Sequence, residues 1–530
     1  MRLGNIFYSH SPFQLLILFT LLVLTGCREH VANPNAHITL SDYASMASDD
    51  YQLSPRRVRT TVLLMAAADS DSTLSDFYAR SHYTKRRGLL WVNRKGVDPQ
   101  ADSLVARLRT VTRLGFNPEK FRLSQIENDL QRAKRLKFDD EENTVSRVYA
   151  RLEYNLTKAC FRYAAGQRFG YVNPKQLFNQ LDVRDSTSGR VIYNTLFDLP
   201  CPTAGSSFYH QVARAISVDS LSCFLDKGEP HNTYYNRLLQ LLNSDSVSYY
   251  GRKLVMVNLE RSRWRLKTYP WDERKVVIVN IPSYHLMALN GDDVLTMRIG
   301  CGSLKSKTPM LCSTITRMDI NPQWIMPRSI VKKSIIPRLG NPAYFRQHHY
   351  FIRERATGDI LPPSYGLRYG LESGDYLAIQ EGGEGNALGR IIFRFNNDFS
   401  IYLHDTSSKE VFSRGDRDVS HGCIRVERPF DLAVFLLGKG QDKTIEKIRY
   451  SMHADVSPLG KKKSELTEDE AMVNDTLQKK LLIGSAKVKP EVPVYILYFT
   501  LYPNEHGKLR TYRDVYGYDG LIYNQLKNYI

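Results

Sequence analysis

Long apolar runs, internal repeats and cysteines are all scarce in this sequence. The apolar run from Phe13 to Thr25 is too short to span a bilayer comfortably. No repeat or low-complexity block is found along the chain. Seven cysteines in 530 residues do not make a disulfide scaffold. An apolar content of 42% and a charged content of 24% exclude a disordered chain and allow two or three globular domains.

Acidic residues are also in deficit, because 55 Asp and Glu stand against 73 Lys and Arg. The resulting net charge of +18 suggests an anionic partner, which could be a nucleic acid, an anionic membrane surface or an acidic polymer. Charge alone does not choose among these three classes of partner.

The N-terminus narrows that choice. A short apolar run near a start methionine is typical of a secretion signal. Its end, LTGC (24–27), resembles a bacterial lipobox, in which the signal is cut before a cysteine whose thiol takes a diacylglycerol. We interpret residues 1–27 as a lipoprotein signal, Cys27 as the lipidated residue and residues 28–71 as a polar tether; the alternative is a chance cysteine after an ordinary signal. The expected location is the cell envelope, on a periplasm-facing anchor in the inner or outer membrane, so nucleic acid is not an expected partner.

Six cysteines remain after Cys27. If Cys423 is a free nucleophile, five are left and at least one of these is unpaired. Cys301 and Cys312 flank a possible β-hairpin and could pair across it. The three others are Cys160, Cys201 and Cys223.

The pattern of apolar residues divides the chain into two regions. Apolar residues recur at helical spacing between 104 and 111 and again between 145 and 163, which predicts core-facing helices within a scaffold domain over 72–260. From residue 274 the sequence alternates and is β-branched, with Asn290-Gly291 as a turn between two strands. The predicted fold class is α+β: a mainly helical N-terminal scaffold domain and a β-rich domain over 274–520, in which residues 327–385 are an insertion that is either a lid or a loosely built surface subdomain.

The stretch DVSHGCIRV (418–426) carries the residues of an acyl-transfer site. A structural cysteine is normally buried as a small hydrophobe, whereas Cys423 has polar and cationic neighbours, which are typical of a reactive thiol. His421 and His404, the latter at the end of the strand IYLH, are both candidates for the base that takes the thiol proton. The backbone or side chain of Asp405 is the nearest group that could fix the tautomer of His404.

Gly422 and Arg425 could complete this site. Glycine would let the backbone approach a substrate, and the N–H groups of Gly422 and Cys423 could form an oxyanion hole. Arg425 can point the same way as Cys423 from one strand and bind a carboxylate bidentately. A zinc site of His404, His421 and Cys423 is the alternative, but no fourth ligand lies at a usual spacing, so neither a metal nor another cofactor is expected.

Together, HDT (404–406) and SHGCIR (420–425) resemble the H…(S/T)HGC signature of the YkuD family of L,D-transpeptidases. Segments such as RYAAGQRFGYVNP (162–174) and NPQWIMPRSIVKKSIIPRL (321–339) are similar to the larger YcbB-type murein enzymes, and the resemblance covers about residues 88 to 520. The helical peptidoglycan-binding module that usually accompanies them is not found between 180 and 250, and the basic surface of the chain could take its place in substrate docking.

The resemblance implies that residues 274–520 form the catalytic domain and that residues 327–385 form a capping lid over its active site. It also implies a role for each residue of the motif. Cys423 would be the nucleophile and His404 the proton acceptor and donor. The oxyanion and orienting residues would be His421, Gly422 and Asp405, and the substrate-binding residues would be Ser420 and Arg425.

The reaction implied is attack on the bond between diaminopimelate and D-Ala in a peptidoglycan tetrapeptide stem. D-Ala leaves, a thioester forms on the cysteine, and the amine of a second stem resolves it into a diaminopimelate-to-diaminopimelate cross-link. Carbapenems would react with the same cysteine. With water as acceptor the protein would be an L,D-carboxypeptidase, and with a lysine it would attach a protein to the wall. The intact His404–Cys423 pair disfavours a non-catalytic wall-binding lipoprotein, and the lipobox disfavours a cysteine protease.

Overall fold

The computed structural model describes residues 54–85, 87–93, 96–138, 140–185, 191–459 and 466–530. The predicted signal, the predicted lipidation site Cys27 and the first part of the predicted tether lie outside these residues. Over the ranges described, no helix is both long enough and apolar enough to cross a membrane.

Helices lie mainly before residue 264. In chain order they are α1 (Pro55–Ala68), α2 (Leu74–Thr84), α3 (Gln100–Arg109), α4 (Leu123–Arg135), α5 (Val145–Phe169), α6 (Pro174–Phe178), α7 (Ser206–Ser217), α8 (Leu221–Gly228), α9 (Thr233–Leu242), α10 (Tyr249–Arg263), α11 (Arg328–Ile330), α12 (Pro342–Gln347), α13 (Arg368–Ser373), α14 (Pro429–Leu437), α15 (Asp442–His453), α16 (Glu468–Thr476) and α17 (Tyr518–Leu526). A π turn at Val331–Ile335 and a 3-10 turn at Ile336–Arg338 continue α11.

Strands lie mainly after residue 274. In chain order they are β1 (Val92–Asn93), β2 (Gly96–Val97), β3 (Val183–Asp185), β4 (Ile192–Tyr193), β5 (Phe197–Asp198), β6 (Lys275–Asn280), β7 (His285–Asn290), β8 (Asp293–Gly302), β9 (Met310–Ile320), β10 (Trp324–Ile325), β11 (Tyr350–Glu354), β12 (Ile360–Leu361), β13 (Tyr376–Gln380), β14 (Ile391–Phe395), β15 (Leu403–His404), β16 (Asp418–Ser420), β17 (Ile424–Val426), β18 (Ser485–Leu497), β19 (Leu501–Pro503) and β20 (Leu509–Thr511). The predicted α+β class, helical first and β-rich second, is confirmed.

The chain forms two compact units. Of the described residues, the first comprises those up to Gln167 together with Ala204–Glu229 and Tyr529–Ile530, and the second comprises those within Arg168–Thr203 and Pro230–Asn528. In the first unit, nearly every side chain of α5 is buried, so this helix forms its core. Both predicted apolar stripes are confirmed as core.

The predicted tether differs from the structure at its C-terminal end. Residues 55–68 form α1, which begins after Ser54, whose hydroxyl accepts the N–H of Arg57. Val58, Val62 and Ala66 are buried because they recur at i, i+4 on one face. A helix with a regular apolar stripe therefore lies within the segment that we predicted to be a polar tether.

The second unit contains a closed β-sheet. Its strands follow the order β14, β15, β17, β8, β7, β6, β18, β9, and the pairing of β9 with β14 closes the ring. β6, β7 and β8 form an antiparallel meander, and the predicted turn at Asn290-Gly291 is confirmed between β7 and β8. β16 pairs in parallel with β8 outside this ring.

The possible hairpin between Cys301 and Cys312 is not formed. β8 pairs with β7 and β17, whereas β9 pairs with β18 and β14, so the strands that carry the two cysteines are not neighbours. Both thiols are free, as are those of the other cysteines in the described ranges. The suggested disulfide was wrong because it assumed that strands close in sequence also pair.

The predicted lid (327–385) contributes three strands to a small four-stranded sheet, and β10, just before the lid, adds the fourth. The strands of this sheet are ordered β10, β13, β11, β12, all antiparallel. A separate apolar core lies beneath that sheet, including Val331, Ile335, Leu339, Ile352 and Leu371. The insertion is therefore a packed subdomain, although its sequence shows no clear period.

Candidate active site

The parallel pairing of β15 with β17 sets the geometry of the motif. Leu403 lies opposite Ile424, and His404 lies opposite Arg425. Leu403 and Ile424 are fully buried in the core of the closed sheet. Because side chains alternate along a strand, their neighbours in sequence point to the other face. That shared face carries Tyr402, His404, Cys423 and Arg425.

Cys423 sits half-buried in the turn between β16 and β17. Its Sγ lies 3.6 Å from the carbonyl oxygen of Ser400 and donates to it. Burial raises the pKa of the Cys423 thiol to about 11, although hydrogen bonds with Tyr402 and the positive charge of Arg425 oppose the shift. The thiol is therefore protonated at neutral pH and needs a base.

Ser420 holds the turn that presents this thiol. Its Oγ donates to the carbonyl oxygen of Cys423 at 2.6 Å and accepts the N–H of Gly422 at 3.0 Å. Gly422 has a φ of +120°, and a Cβ there would lie 3.0 Å from Cδ1 of Ile401, so the position requires glycine. The Gly422 N–H, one of the two predicted oxyanion donors, is thus already engaged within the turn.

Thr308 anchors the same turn from another part of the chain. Its buried hydroxyl donates to the carbonyl oxygen of Gly422 at 2.7 Å and accepts the N–H of Gly302 at 2.8 Å. The hydroxyl of Tyr516 accepts the N–H of Thr308 at 3.1 Å and donates to the carbonyl oxygen of Gly302 at 2.7 Å. No local pattern indicates this pair, because Thr308 is 114 positions from Gly422 and 208 positions from Tyr516 in the sequence.

His404 is buried, and its Nδ1 is hydrogen-bonded to the backbone carbonyl of Asp405. Burial, and then the charge of Arg425, lower the pKa of His404 to about 4, while backbone hydrogen bonds with Asp405 and Leu388 oppose that shift. The imidazole is therefore neutral at physiological pH and able to accept a proton.

The carboxylate of Asp405 has a different task. It accepts the N–H of Arg390 at 2.8 Å and pairs with Lys409. Gly389, at a φ of +65°, makes room for it, since a Cβ there would lie 2.5 Å from that of Asp405. Asp405 thus orients His404 through its backbone, while its side chain braces the neighbouring loop.

Tyr402 is a member of the site that the motif did not indicate. Its ring lies 6.0 Å from that of His404, and the Arg394 guanidinium lies 5.5 Å from its centroid. The Cys423 thiol is among the groups that perturb the Tyr402 hydroxyl. Burial and the neighbouring thiol raise the pKa of Tyr402 to about 12, so it stays a donor. Its position two residues before His404, hence on the same strand face, was the available signal.

Arg425 and His421 differ in their surroundings. Nε of Arg425 is buried, and no acceptor for it lies among the residues that the structure describes. Burial lowers the pKa of Arg425, while the nearby charge of Glu410 opposes the shift. A buried donor without a partner favours an anionic ligand here. His421, in contrast, is exposed to solvent.

Metal ligands are not grouped in this structure. Over the described ranges, no cluster of three or more His, Cys, Asp or Glu side chains could hold a metal ion.

Parts of this sequence are similar to known protein families and to known proteins. Residues 274–447 match the family model of the YkuD L,D-transpeptidase catalytic domain, and residues 72–242 match that of the Scaffold domain. Over 314 residues the chain is 28% identical to a Haemophilus influenzae protein described as "Putative L,D-transpeptidase", which covers 58% of this chain and 57% of that relative. The chain thus spans less than two thirds of that relative's length. The matches confirm the resemblance inferred from the motif.

A solved L,D-transpeptidase from Mycobacterium smegmatis is 16% identical and aligns over 31% of this chain and 53% of its own. Its TM-score of 0.17 is too low to indicate a shared arrangement.

Proposed function

We propose that this chain, which carries a YkuD L,D-transpeptidase catalytic domain together with a Scaffold domain in the YcbB-type architecture, cross-links peptidoglycan stems between their diaminopimelate residues. The observation that best supports this function is the shared face of β15 and β17, which carries Cys423, His404 and Arg425. A thiol, a neutral imidazole and a guanidinium are the groups needed for acyl transfer from a peptide that bears carboxylates.

In the first half of the reaction, Cys423 attacks the carbonyl that joins diaminopimelate to D-Ala. Nδ1 of His404 is hydrogen-bonded to a carbonyl oxygen, so we assign the proton to Nδ1 and leave Nε2 to accept the thiol proton. Because the pKa of Cys423 is raised and that of His404 is lowered, both groups are neutral at first, and the proton moves as the S–C bond forms.

The tetrahedral intermediate requires hydrogen-bond donors to its oxyanion. The N–H of Gly422 is engaged by Ser420, so we assign this role to the N–H of Cys423 and the hydroxyl of Tyr402. D-Ala then leaves as an amine that takes the proton from His404, and the thioester remains on Cys423.

In the second half, the free amine of another stem attacks the thioester. His404 accepts a proton from that amine and returns it to the departing sulfur, which restores the thiol and forms an amide. Arg425 is proposed to hold a stem carboxylate with its guanidinium, whose Nε has no acceptor among the described residues. The net charge of +18 is compatible with such an acidic polymer.

The predicted location is also part of the proposal. The lipobox LTGC supports a lipid anchor at Cys27 that holds the enzyme at a periplasm-facing membrane surface. Cys27→Ser should move the protein from the membrane fraction to the soluble fraction without loss of activity in vitro. A variant that still sediments with membranes would exclude this anchor.

The test of function is product analysis with purified disaccharide-tetrapeptide. The wild type should form a dimer whose mass equals two monomers less one D-Ala, and Cys423→Ala should not. Tripeptide without dimer would instead identify a carboxypeptidase. A dimer formed equally by Cys423→Ala would exclude the proposed nucleophile.

A further inference from the structure

Three cationic side chains lie in a row across the closed sheet of the second unit. Arg394 of β14 is directly opposite Arg317 of β9, and Arg317 is directly opposite Lys487 of β18. Residues directly opposite each other in an antiparallel pair project from the same face of a sheet, so these three side chains share one face. The side chains of Arg394 and Arg317 are 38% and 56% exposed, and Lys487 is also exposed. We call Arg394, Arg317 and Lys487 the cationic row.

The cationic row begins beside the candidate nucleophile. Ile392 is opposite His404 in the antiparallel pairing of β14 with β15, and the same register continued by two residues places Arg394 beside Tyr402. The Arg394 guanidinium lies 5.5 Å from the centroid of the Tyr402 ring. Burial raises the pKa of Cys423, and the charge of Arg394 is among the influences that oppose this shift. The row therefore starts within electrostatic reach of the thiol and leads away from it across β14, β9 and β18.

The charges within the row are only partly balanced. The carboxylate of Asp319 accepts the N–H of Nε of Arg394, and its other oxygen lies 3.3 Å from Nε of Arg317. Three cations against this one carboxylate leave an excess of positive charge. Like charges directly opposite each other destabilise a sheet, so a ligand that brings carboxylates would relieve this repulsion.

Strand order places the cationic row and Arg425 on opposite sides of the base. β15, which carries His404, lies between β14 and β17. Arg394 therefore stands on one side of His404 and Arg425 on the other. The proposed reaction brings two stems to one thiol, an acyl donor and an amine acceptor. Because Arg425 is assigned to a carboxylate of one stem, the cations on the other side of β15 are available to the second.

We propose that the cationic row binds the free carboxylates of the acceptor stem and so guides its amine to the thioester on Cys423. The ligand class is an acidic peptide that carries a free amine. This inference rests on the proposed transpeptidase function and adds to it a subsite for the second substrate. Arg317 and Lys487 contact the acceptor alone, so they affect the attack on the thioester and not its formation.

The test measures the two half-reactions separately in the double variant Arg317→Gln/Lys487→Gln. Arg394 is kept because its charge acts on Cys423. Release of D-Ala from disaccharide-tetrapeptide in the first turnover should match the wild type. The KM for an isotope-labelled tripeptide acceptor, followed by label in the cross-linked product, should rise about fivefold because two exposed cationic contacts are lost. Lys508→Gln/Arg510→Gln, at exposed positions of the separate hairpin β19–β20, removes the same charge and should behave as the wild type.

An amidated acceptor tests whether charge is what the subsite recognises. With the wild type, a tripeptide whose carboxylates are amidated should show the same raised KM, and the double variant should not distinguish the two acceptors. Equal KM values for both acceptors in the wild type, or a double variant that matches the wild type, would reject the subsite and leave the proposed function standing. Slower D-Ala release by the double variant would overturn the assignment to the acceptor. A wild type that forms no cross-linked product would reject the proposed function and the subsite with it.

Discussion

His404 lies directly opposite Arg425 across the parallel pairing of β15 and β17. After burial, the positive charge of Arg425 is the largest cause that lowers the pKa of His404. The same guanidinium lowers the pKa of Cys423, against the larger effect of burial. The charge of Arg425 therefore favours the neutral imidazole of His404 and the thiolate of Cys423, in addition to its proposed contact with a substrate carboxylate.

Alkylation of Cys423 should depend steeply on pH. A thiol whose pKa is about 11 is almost fully protonated at pH 7, so reaction with iodoacetamide should accelerate by about tenfold per pH unit between pH 7 and 9. Peptide mapping by mass spectrometry separates this thiol from the other cysteines. A rate that is already constant below pH 7 would instead reveal a resting thiolate–imidazolium pair.

Arg425→Gln should shift the pH profile of acylation. Loss of the neighbouring charge raises the pKa of His404 from about 4 towards its usual value near 6.5, so His404 becomes protonated at a higher pH. The acid limb of kcat/KM for the tetrapeptide should move to higher pH, and KM should rise at neutral pH. Arg425→Lys should keep the acid limb close to its wild-type position. An unchanged acid limb in Arg425→Gln would show that the charge of Arg425 does not control the pKa of His404.

Tyr402→Phe should slow acylation by about 10² if the hydroxyl is an oxyanion donor. The measurement is the rate of acyl-enzyme formation with a carbapenem, followed by intact-protein mass. Tyr250→Phe, at an 80% exposed position, is the control and should react at the wild-type rate. If Tyr402→Phe is acylated as fast as this control, the Tyr402 hydroxyl is not an oxyanion donor.

Thr308→Val should destabilise the turn between β16 and β17 that carries Cys423. The substitution leaves the N–H of Gly302 and the carbonyl of Gly422 without their shared partner, which should cost about 1–3 kcal/mol of unfolding free energy. Acylation by a carbapenem should slow as well, and Thr308→Ser should restore both properties. Rescue of stability by Thr308→Ser without rescue of acylation would show that Thr308 supports the fold alone.

The sequence predicted the parts of the site that are close along the chain. Ser420, Gly422, Cys423 and Arg425 lie within six residues, and strand alternation places the last two on one face. The class of fold followed from the switch between helical and alternating periodicity. These signals are local, so no knowledge of strand order was needed to read them.

The rest of the site depends on contacts that the sequence does not encode locally. Thr308 binds the turn that carries Cys423, and Tyr516 binds Thr308, only because the fold brings these distant segments together. The predicted Cys301–Cys312 disulfide was wrong because β8 and β9 are not neighbours in the sheet. The sequence left open whether the backbone or the side chain of Asp405 orients His404. The structure places its carboxylate against the loop at Gly389, where it accepts the N–H of Arg390, so the backbone carbonyl is the group that contacts His404.

The proposed mechanism places the stem peptide on Cys423 as a thioester. This intermediate can be trapped by rapid mixing with disaccharide-tetrapeptide and an acid quench, and then identified by intact-protein mass spectrometry and peptide mapping. We expect an adduct equal to the substrate less D-Ala, located on Cys423 and absent from Cys423→Ala. An adduct on another residue, or product formation by Cys423→Ala at the wild-type rate, would exclude Cys423 as the nucleophile.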